Sequence, residues 1–503
     1  MHTLKATDNA TLLFYGVVSI SWAVLISRLL HRRKSTIPAI PGTSGFIRST
    51  VESVRFIFHG REIISRGYNQ DRNGVFRVAR LFCWDYLAIG KQRVLELANA
   101  PEHVLSVDHG IEDAFQSDYT LGRESCIRPY HIEVIRGAMT RNLGRCFPRI
   151  RDEIIHAFDD VLELHNEEWK LVQIMPAALK VVARTSSRLF LDLPLCRDPE
   201  YLQFCIDSST DVFTRGELIK FFPQFLRPIV GPLLSARKRN ERRAAKFFGA
   251  MVDERLKLDN EYGTDWLDRP NDLVSWLLAV AQGEDRTTPL VIQRILTVNS
   301  VAVQTSAMAL TNALYDLVTY PEHILPMREE VKRVVAVQGW TKAALGNMFK
   351  LDSFVRESQR INAGPVVMLR KVISKDGFTF SDGKTIPYGS FVSAAMATVH
   401  QDPANYDNAD LFDGFRFSRL REEYQDGDHH NREGTHFFNR HMVSTAPDHV
   451  VFGHGQHACP GRFLAATEVK AMLAHMLVNY DMMADTDKRP QELALSEFAA
   501  PNP

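Results

Sequence analysis

The sequence predicts a mainly α-helical body with a smaller β region, preceded by one N-terminal transmembrane helix. Three observations support this fold class. Apolar side chains recur at helical spacing through 131–150, through 297–318 and after residue 460. Two short segments, 75–78 and 84–89, carry the residue types of a strand pair. The stretch near the N-terminus is uncharged and strongly apolar.

Composition limits the domain count and excludes some classes of protein. At 503 residues the chain is long enough for about three average domains, yet no linker rich in glycine and serine interrupts it. We therefore predict an N-terminal anchor with its basic flank over 1–36 and one domain over 37–503.

Lys+Arg and Asp+Glu both number 60, so no overall positive field attracts nucleic acid. The 6 cysteines lack the spacing of a disulfide framework, which favours a reducing compartment.

The apolar run over 10–27 predicts a membrane anchor. At the helical rise it would span about 27 Å, close to the thickness of a bilayer core. Basic residues follow the run, so we expect the body on the cytoplasmic side. A cleaved signal peptide would carry its basic residues before the run. Because the basic residues come after the apolar run, the sequence favours a retained, single-pass anchor in contact with membrane lipid. A stiff proline-containing segment, 37–42, would join this anchor to the body.

A glycine-rich loop over 451–463 carries Cys459 directly before a predicted helix. Pro460 suits the first turn of that helix, and the helix dipole favours a thiolate at Cys459. The glycines (Gly453, Gly455, Gly461) would let backbone approach a flat ligand. A thiolate in this setting is a suitable ligand for a haem iron that cleaves dioxygen. The alternatives are a buried structural cysteine, or a zinc site with His454 and His457, for which no Cys-x-x-Cys pair supplies further ligands.

The loop resembles the haem-binding loop of the cytochrome P450 family. The matching positions are Phe452, Gly455, His457, Cys459 and Gly461. The resemblance implies the P450 fold, haem b as cofactor with Cys459 as the iron ligand, and an endoplasmic reticulum membrane location. His457 stands where the family more often has arginine, in the role of a haem-propionate partner. Arg370, in a predicted strand over 365–372, would meet the other propionate.

The predicted helix 131–150 carries arginines at 136, 141, 145 and 149, the last three on one face. A solvated surface stripe is one interpretation. The resemblance implies another, in which Arg136 binds a propionate and the basic face docks NADPH-cytochrome P450 reductase. Ile132 occupies the position of the family's tryptophan, with His131 as a possible helper to Arg136.

The long helix over 297–318 contains Ala302, Gln304, Thr305 and Ser306. A Thr-Ser pair in a helix usually hydrogen-bonds back to a backbone carbonyl. By resemblance this is the distal helix, with Thr305, Gln304 and Ser306 as the catalytic residues. Thr305 would relay protons, whereas Gln304 can hydrogen-bond but cannot gain and lose a proton near neutral pH, so the relay would run mainly through Thr305, water or the substrate. Gln304 replaces the family's acid, and Ala302 replaces its glycine.

Glu357 and Arg360 share a helix face at i, i+3, a spacing that also occurs in weak surface pairs. By resemblance they form a buried network with Arg416 beneath the cysteine loop. Gly414 replaces the proline of the family's Phe-x-Pro-x-Arg-Phe segment. Between the predicted helices 131–150 and 297–318, the apolar stretch 221–230 beside a basic helix is either core next to surface or a second contact with the membrane.

The predicted activity is monooxygenation of an apolar small molecule. The loop and the run 354–360 look like those of P450s from filamentous fungi, which implies a terpenoid or indole-alkaloid secondary metabolite as substrate. Two alternatives stay open. One is a haem-thiolate isomerase or dehydratase that needs no reductase, which Gln304 makes more conceivable. The other is a haem sensor, which would need neither Thr305 nor a large apolar cavity.

Overall fold

A computed structural model describes residues 35–40, 45–164, 168–425, 440–486, 489–490, 492–495 and 498–501. The described part is mainly helical, as predicted. Its helices are α1 (Phe46–Gln70), α2 (Lys91–Asn99), α3 (Val107–Phe115), α4 (Glu124–Ile127), α5 (Tyr130–Val134), α6 (Thr140–Leu162), α7 (Ile174–Phe190), α8 (Pro199–Lys220), α9 (Arg227–Leu234), α10 (Arg237–Ala244), α11 (Ala250–Tyr262), α12 (Leu273–Val280), α13 (Thr288–Thr319), α14 (Ile324–Gln338), α15 (Lys342–Gly346), α16 (Phe349–Ile361), α17 (Met396–His400), α18 (Arg416–Gln425) and α19 (Arg462–Asn479).

The strands form one sheet and two small hairpins. The strands are β1 (Val75–Ala79), β2 (Trp84–Ala88), β3 (Leu105–Ser106), β4 (Val367–Val372), β5 (Phe378–Thr379), β6 (Thr385–Ile386), β7 (Phe391–Ala394), β8 (Leu493–Leu495) and β9 (Phe498–Ala500). The sheet order is β1-β2-β7-β4-β3, with β2 and β7 parallel and its other pairs antiparallel. The predicted strand pair is confirmed: β1 pairs with β2 so that Val75 faces Ala88.

The central helix is α13, which packs against α7, α8, α16 and α19. Its buried side chains lie on several sides, as expected for a helix enclosed by others. The main core is built from α6, α7, α12, α13 and α19, while a separate cluster packs the sheet against α2. Between α5 and α6 the helix widens into a π-helical turn over Ile135–Met139. The predicted helix 131–150 is therefore the amino-terminal part of a longer helical run, 130–162.

The N-terminal anchor over 10–27 lies outside the described residues. None of the helices in the described ranges is long and apolar enough to cross a bilayer. Of the predicted joint 37–42, the described part packs on the body: Arg77 of β1 donates its backbone N–H to Pro38 O (3.0 Å) and accepts from Ile40 N (3.2 Å). Ile37 and Ile40 are both 1% exposed. Residues 37–40 therefore belong to the folded domain.

Candidate active site

The cysteine loop folds back on itself before α19. Cys459 donates its backbone N–H to Phe452 O (2.7 Å), and Ala458 donates to Gly455 O (3.1 Å). Phe452 packs against the main core, which anchors the start of the loop. The helix begins at Arg462, so Pro460 precedes its first turn instead of lying within it. Cys459 is half-buried, and the backbone N–H groups of Gly461 and Arg462 at the amino end of α19 hydrogen-bond its thiol.

The three glycines of the loop serve different purposes. Gly453 and Gly455 adopt φ of 67° and 75°, a left-handed conformation that favours glycine. A Cβ at Gly455 would meet the backbone oxygen of Ala98 at 3.0 Å, so this glycine permits close approach to α2. Gly461 has φ of −84°, and a Cβ there would meet nothing within 4 Å. The structure thus gives Gly453 and Gly455 a conformational role, and the approach of a flat ligand to the three glycines stays a prediction.

Hydrogen-bond donors and positive charges near the Cys459 thiol act against the effect of burial on its pKa. Burial raises the pKa of Cys459, while the amide N–H groups of Gly461 and Arg462 and the nearby guanidinium groups of Arg462 and Arg136 lower it. Arg462 also donates to Cys459 O (2.9 Å), which keeps its charge beside the thiol. Donors directed at a sulfur stabilise a thiolate, the form that binds metal. Burial outweighs these groups, so the pKa of Cys459 stays above its usual value; the donors would stabilise the thiolate once the sulfur binds a metal.

Arg136 lies against the same loop. From the π-helical turn it donates to Gln456 O (2.9 Å) and Ala458 O (3.4 Å). His131, the possible helper, is buried beside Arg294 of α13, and burial and that arginine lower its pKa to about 3. The structure thus places Arg136 at the loop and directs His131 towards the distal helix.

Arg370 and His457 complete a group of donors around the loop. Arg370 is 4% exposed, and burial lowers its pKa to about 10. Among the described residues, its guanidinium hydrogen-bonds only the adjacent Leu369 carbonyl (3.2 Å). His457 Nε2 is buried and lies 3.4 Å from Glu102 Oε2 without hydrogen-bond geometry, so neither atom has a hydrogen-bond partner within the described ranges. Buried donors without partners are unusual in folded proteins.

These side chains fit a haem. Cys459 would bind the iron, and Arg136, Arg370 and His457 would hold the negatively charged haem carboxylates. The zinc alternative is not supported: in the described part of the chain, no group of three or more His, Cys, Asp or Glu could hold a metal ion. His454 instead shares a hydrogen bond with Thr445 Oγ1 (3.2 Å).

The distal residues on α13 point in three directions. Thr305 is exposed, as is Val301 one turn earlier, and the Thr305 hydroxyl donates to Val301 O (2.8 Å). This is the back-bonding typical of helical threonine, and it leaves the oxygen lone pairs free to accept. Ser306 is buried, and Ala302 packs against the core. Gln304 reaches sideways to α8, so the structure does not gather Gln304, Thr305 and Ser306 at one point.

The predicted charge network is formed. Arg360 Nε and Nη2 donate to both oxygens of Glu357 (2.8 and 2.7 Å), and Arg416 Nε lies 3.2 Å from each oxygen. Glu357 and Arg360 are fully buried, which excludes the surface-pair interpretation. Arg360 also donates to His400 O and Ala409 O (2.7 and 2.6 Å). The network joins α16 to the chain that leads into the cysteine loop.

Two carboxylates of this region, Glu102 and Asp352, were not predicted from the sequence. Glu102 accepts from Ser106 Oγ (2.7 Å) and Val107 N (2.8 Å), which fixes it beside His457. Asp352, five residues before Glu357 on α16, is buried where α18 and α19 pack on that helix. Neither Glu102 nor Asp352 lies in a recognisable motif. For Asp352, the one sequence feature that indicates a buried carboxylate is its place on the apolar side of α16.

Comparisons with known proteins agree with this geometry. The family model for cytochrome P450 matches residues 132–503. The chain is 36% identical to cytochrome P450 monooxygenase 151 of Postia placenta, over 97% of this chain and 96% of that protein. It is 30% identical to cytochrome P450 monooxygenase paxP of Penicillium paxilli, over 98% and 94%. The solved structure of the cytochrome P450DA heme domain superposes with a TM-score of 0.66 at 15% sequence identity. The superposition covers 93% of this chain and 96% of that one, and it supports the fold. The chain belongs to the cytochrome P450 monooxygenase family, whose members hold a haem.

Proposed function

We propose that this P450 inserts one oxygen atom from O2 into an apolar small molecule, a terpenoid or indole-alkaloid secondary metabolite. NADPH-cytochrome P450 reductase would supply the electrons. The observation that carries the proposal is the Cys459 loop, where amide and guanidinium groups face the thiol and three further donors surround the loop. When bound, haem b supplies the oxygen-insertion chemistry. The protein contributes the sulfur ligand, the carboxylate partners and a hydroxyl at Thr305 that can pass protons.

An apolar groove supports the class of substrate. We call it the access groove: its apolar lining is Phe56, Ile57, Phe82, Phe221, Leu369 and Phe391, and charged side chains such as Asp113 and Arg227 line it as well. Leu369 precedes Arg370 on β4, so the groove reaches the strand that carries this site residue. The other wall is the end of α8 and the segment after it. A groove of this composition suits a ligand with a large apolar surface.

The ligation of Cys459 can be tested by spectroscopy. The reduced wild-type protein with carbon monoxide should show the red-shifted band of thiolate ligation, and Cys459→His should lose it, because imidazole donates less charge than thiolate. Cys126→Ser, a buried cysteine on α4, serves as the matched control and should keep the band. Absence of the band in the wild type would refute the proposal.

Turnover decides between monooxygenation and the alternatives. A spectral screen with terpenoids and indole alkaloids would identify ligands, and each ligand would then be incubated with enzyme, reductase and NADPH. Oxygenated product that forms only with NADPH supports the proposal. Product formed equally without NADPH would favour the reductase-independent isomerase or dehydratase. Binding of haem with no turnover of any ligand would favour the sensor.

The helix that carries Arg136 also offers the proposed reductase surface. Arg141 and Arg145 are exposed at i, i+4 on α6. Arg149 is not part of this surface, because it pairs with Asp192 and donates to Asn271 O (2.8 Å). We define the basic pair as Arg141 and Arg145. Since α6 continues the helix that touches the cysteine loop, the pair lies on the side of the protein from which electrons would enter.

The proposed location is the endoplasmic reticulum membrane, with the domain on the cytoplasmic side. Two exposed apolar surfaces border the access groove and could contact lipid. The first surface is one face of α1, where the exposed residues are Ile47, Val51, Val54 and Phe58. The second begins directly after α8 and continues through α9, with exposed Phe221, Phe225, Ile229 and Leu233. Large exposed apolar patches of this kind mark contact surfaces. The neighbouring basic residues are less available to lipid than expected, since Arg239 pairs with Asp211 and Arg237 with Glu241.

A further inference from the structure

Gln304 forms a specific connection between two helices that are far apart in sequence. It lies on α13, next to Thr305, and its side-chain amide donates to Ser209 Oγ (2.9 Å) and Thr210 Oγ1 (3.0 Å) on α8. Ser209 is fully buried, so water competes poorly for that bond. The side chain that replaces an acid in the family pattern therefore bonds to a helix, and does not point along α13 towards Thr305.

The two hydroxyls are chemically matched to an amide. Ser209 and Thr210 both donate their hydroxyl hydrogens to the same carbonyl, Ile206 O, at 2.8 and 2.9 Å. Their oxygens are then left as acceptors, and the Gln304 NH2 group has two hydrogens to offer. A carboxylate at position 304 has none, and it could bond here only if at least one of the two hydroxyls released Ile206 O and donated to the carboxylate instead. The arrangement thus selects glutamine over the acid.

The connection lies where α8 could move relative to the site. The carboxyl end of α8, at Lys220, and the following Phe221 form one wall of the access groove. Ser209 is about 16 Å before that end at the helical rise. On another side, Phe213 packs edge-to-face on Phe115 of α3, with ring centroids 5.4 Å apart. The amide of Gln304 therefore contacts the middle of a helix whose end borders the access groove.

We propose that Gln304 is a positioning residue that fastens α8 to α13 and so keeps the α8–α9 wall of the access groove closed. This deepens the proposed function, and it rests on that function only for the identification of the groove. Breaking the connection should let α8 and α9 open more often and let ligands reach the haem faster. The effect on catalysis would follow from this motion, since Gln304 donates both amide hydrogens to α8.

Hydrogen exchange on the haem-loaded protein tests the connection. Gln304→Met keeps the length of the side chain and removes its donors, while the double variant Ser209→Ala/Thr210→Val removes the acceptors. Each should speed amide exchange in peptides from 206–227 by about fivefold to thirtyfold, the range that one or two ordinary hydrogen bonds provide. The combined variant should show no further increase, because both changes break the same bonds. Thr214→Val is the matched control, since its hydroxyl donates only within α8, to Thr210 O (2.8 Å).

The second readout is the association rate of 1-phenylimidazole with the ferric haem. It should rise in Gln304→Met and stay at the wild-type value in Thr214→Val. Unchanged exchange in Gln304→Met, or additive effects in the combined variant, would overturn the connection. Faster exchange with an unchanged association rate would overturn its role in closing the groove. Neither measurement needs a substrate or a reductase, so failure of this inference is distinguishable from failure of the proposed function.

Discussion

Lys470 Nζ donates to Asp352 Oδ1 at 2.8 Å, and this buried ion pair joins α19, the helix behind the cysteine loop, to α16. The second oxygen of Asp352 accepts from Arg421 Nη2 (2.7 Å) and Met442 N (2.9 Å). Burial raises the pKa of Asp352, but Lys470 and Arg421 outweigh burial and hold it well below its usual value. The carboxylate is therefore charged at neutral pH, and it supports the helix that follows Cys459.

Asp352→Asn should be strongly destabilising, because it leaves two buried cations without their carboxylate. We expect the free energy of unfolding to fall by about 3–5 kcal/mol. Denaturant unfolding followed by circular dichroism measures the change, with Glu329→Gln, an exposed carboxylate on α14, as control. Because the pKa of Asp352 is depressed in the folded state, its stabilisation is present above the pKa of the unfolded chain and is lost only as the pH falls towards the folded value. A loss below 1 kcal/mol at pH 7 would contradict this account.

Thr305→Ala should uncouple the reaction. The Thr305 hydroxyl is exposed and can accept a hydrogen bond from water or substrate while it donates to Val301 O. Without it, we expect NADPH to be consumed while more of the electrons appear as hydrogen peroxide and fewer as product. Thr319→Ala is the matched control: it lies on the same helix, and its hydroxyl makes the same type of bond, to Tyr315 O (2.6 Å). Equal product per NADPH in Thr305→Ala and wild type would show that Thr305 only packs.

Charge reversal of the basic pair should slow electron delivery. Arg141→Glu/Arg145→Glu places two negative charges on the proposed docking surface, and rim charges act mainly on encounter rate and its salt dependence. Reductase-driven turnover should fall about tenfold or more at low salt, since each reversed charge can change the interaction by more than 1 kcal/mol. Peroxide-driven turnover should remain nearly intact. Lys246→Glu/Lys257→Glu, two exposed lysines around α11, controls for net charge; a similar decrease in both assays would assign the pair a structural role.

Removal of residues 1–34 should release much of the protein from membranes and leave the haem spectrum unchanged. The described domain begins its contacts at residues 37–40, which pack on β1, so the deletion removes none of them. Sedimentation with vesicles measures the remaining binding. If the patch after α8 contacts lipid, adding Phe225→Asn and Ile229→Asn to the deletion should abolish it, while Leu325→Asn, an exposed leucine on α14, should not. A full-length protein that stays in solution would refute the anchor.

Glu468 makes stability depend on pH in the opposite direction from Asp352. It is fully buried on α19, and burial raises its pKa to about 8, although Ser186 Oγ donates to both oxygens (2.9 and 3.1 Å). The unfolded chain loses this proton near the ordinary value for glutamate, whereas the folded protein keeps it up to about pH 8. Its contribution therefore weakens as the pH rises from about 5 to 8.

Glu468→Gln removes this titration and keeps the shape of the side chain. Relative to the wild type, we expect the variant to gain up to about 1.4 kcal/mol per pH unit between pH 5 and 8. Denaturant midpoints at pH 5, 6, 7 and 8 measure the difference. Glu329→Gln again provides the control, because an exposed carboxylate should give a flat difference. A flat difference for Glu468→Gln would mean that Glu468 is ionised in the folded protein at neutral pH.

By itself the sequence determined the features that depend on local pattern. Helical spacing identified α13 and α19, and β-branched and aromatic residues identified β1 and β2, because side-chain periodicity reflects which face is buried. The loop around Cys459 was recognisable because its glycines, cysteine and following helix are contiguous. The Glu357–Arg360 pair was recognisable as one turn of helix, and only its burial and its bond to Arg416 needed the structure.

Tertiary structure alone decided which distant residues meet. Asp352 and Lys470 are 118 positions apart, and Gln304 and Ser209 are 95 apart. Of the predicted stripe of arginines, Arg149 pairs with Asp192, and Gln304, which was expected beside Thr305, donates its amide to α8. A side chain's sequence neighbours do not specify its partner across a helix interface, because that partner depends on how the helices pack and on which polar groups are buried together.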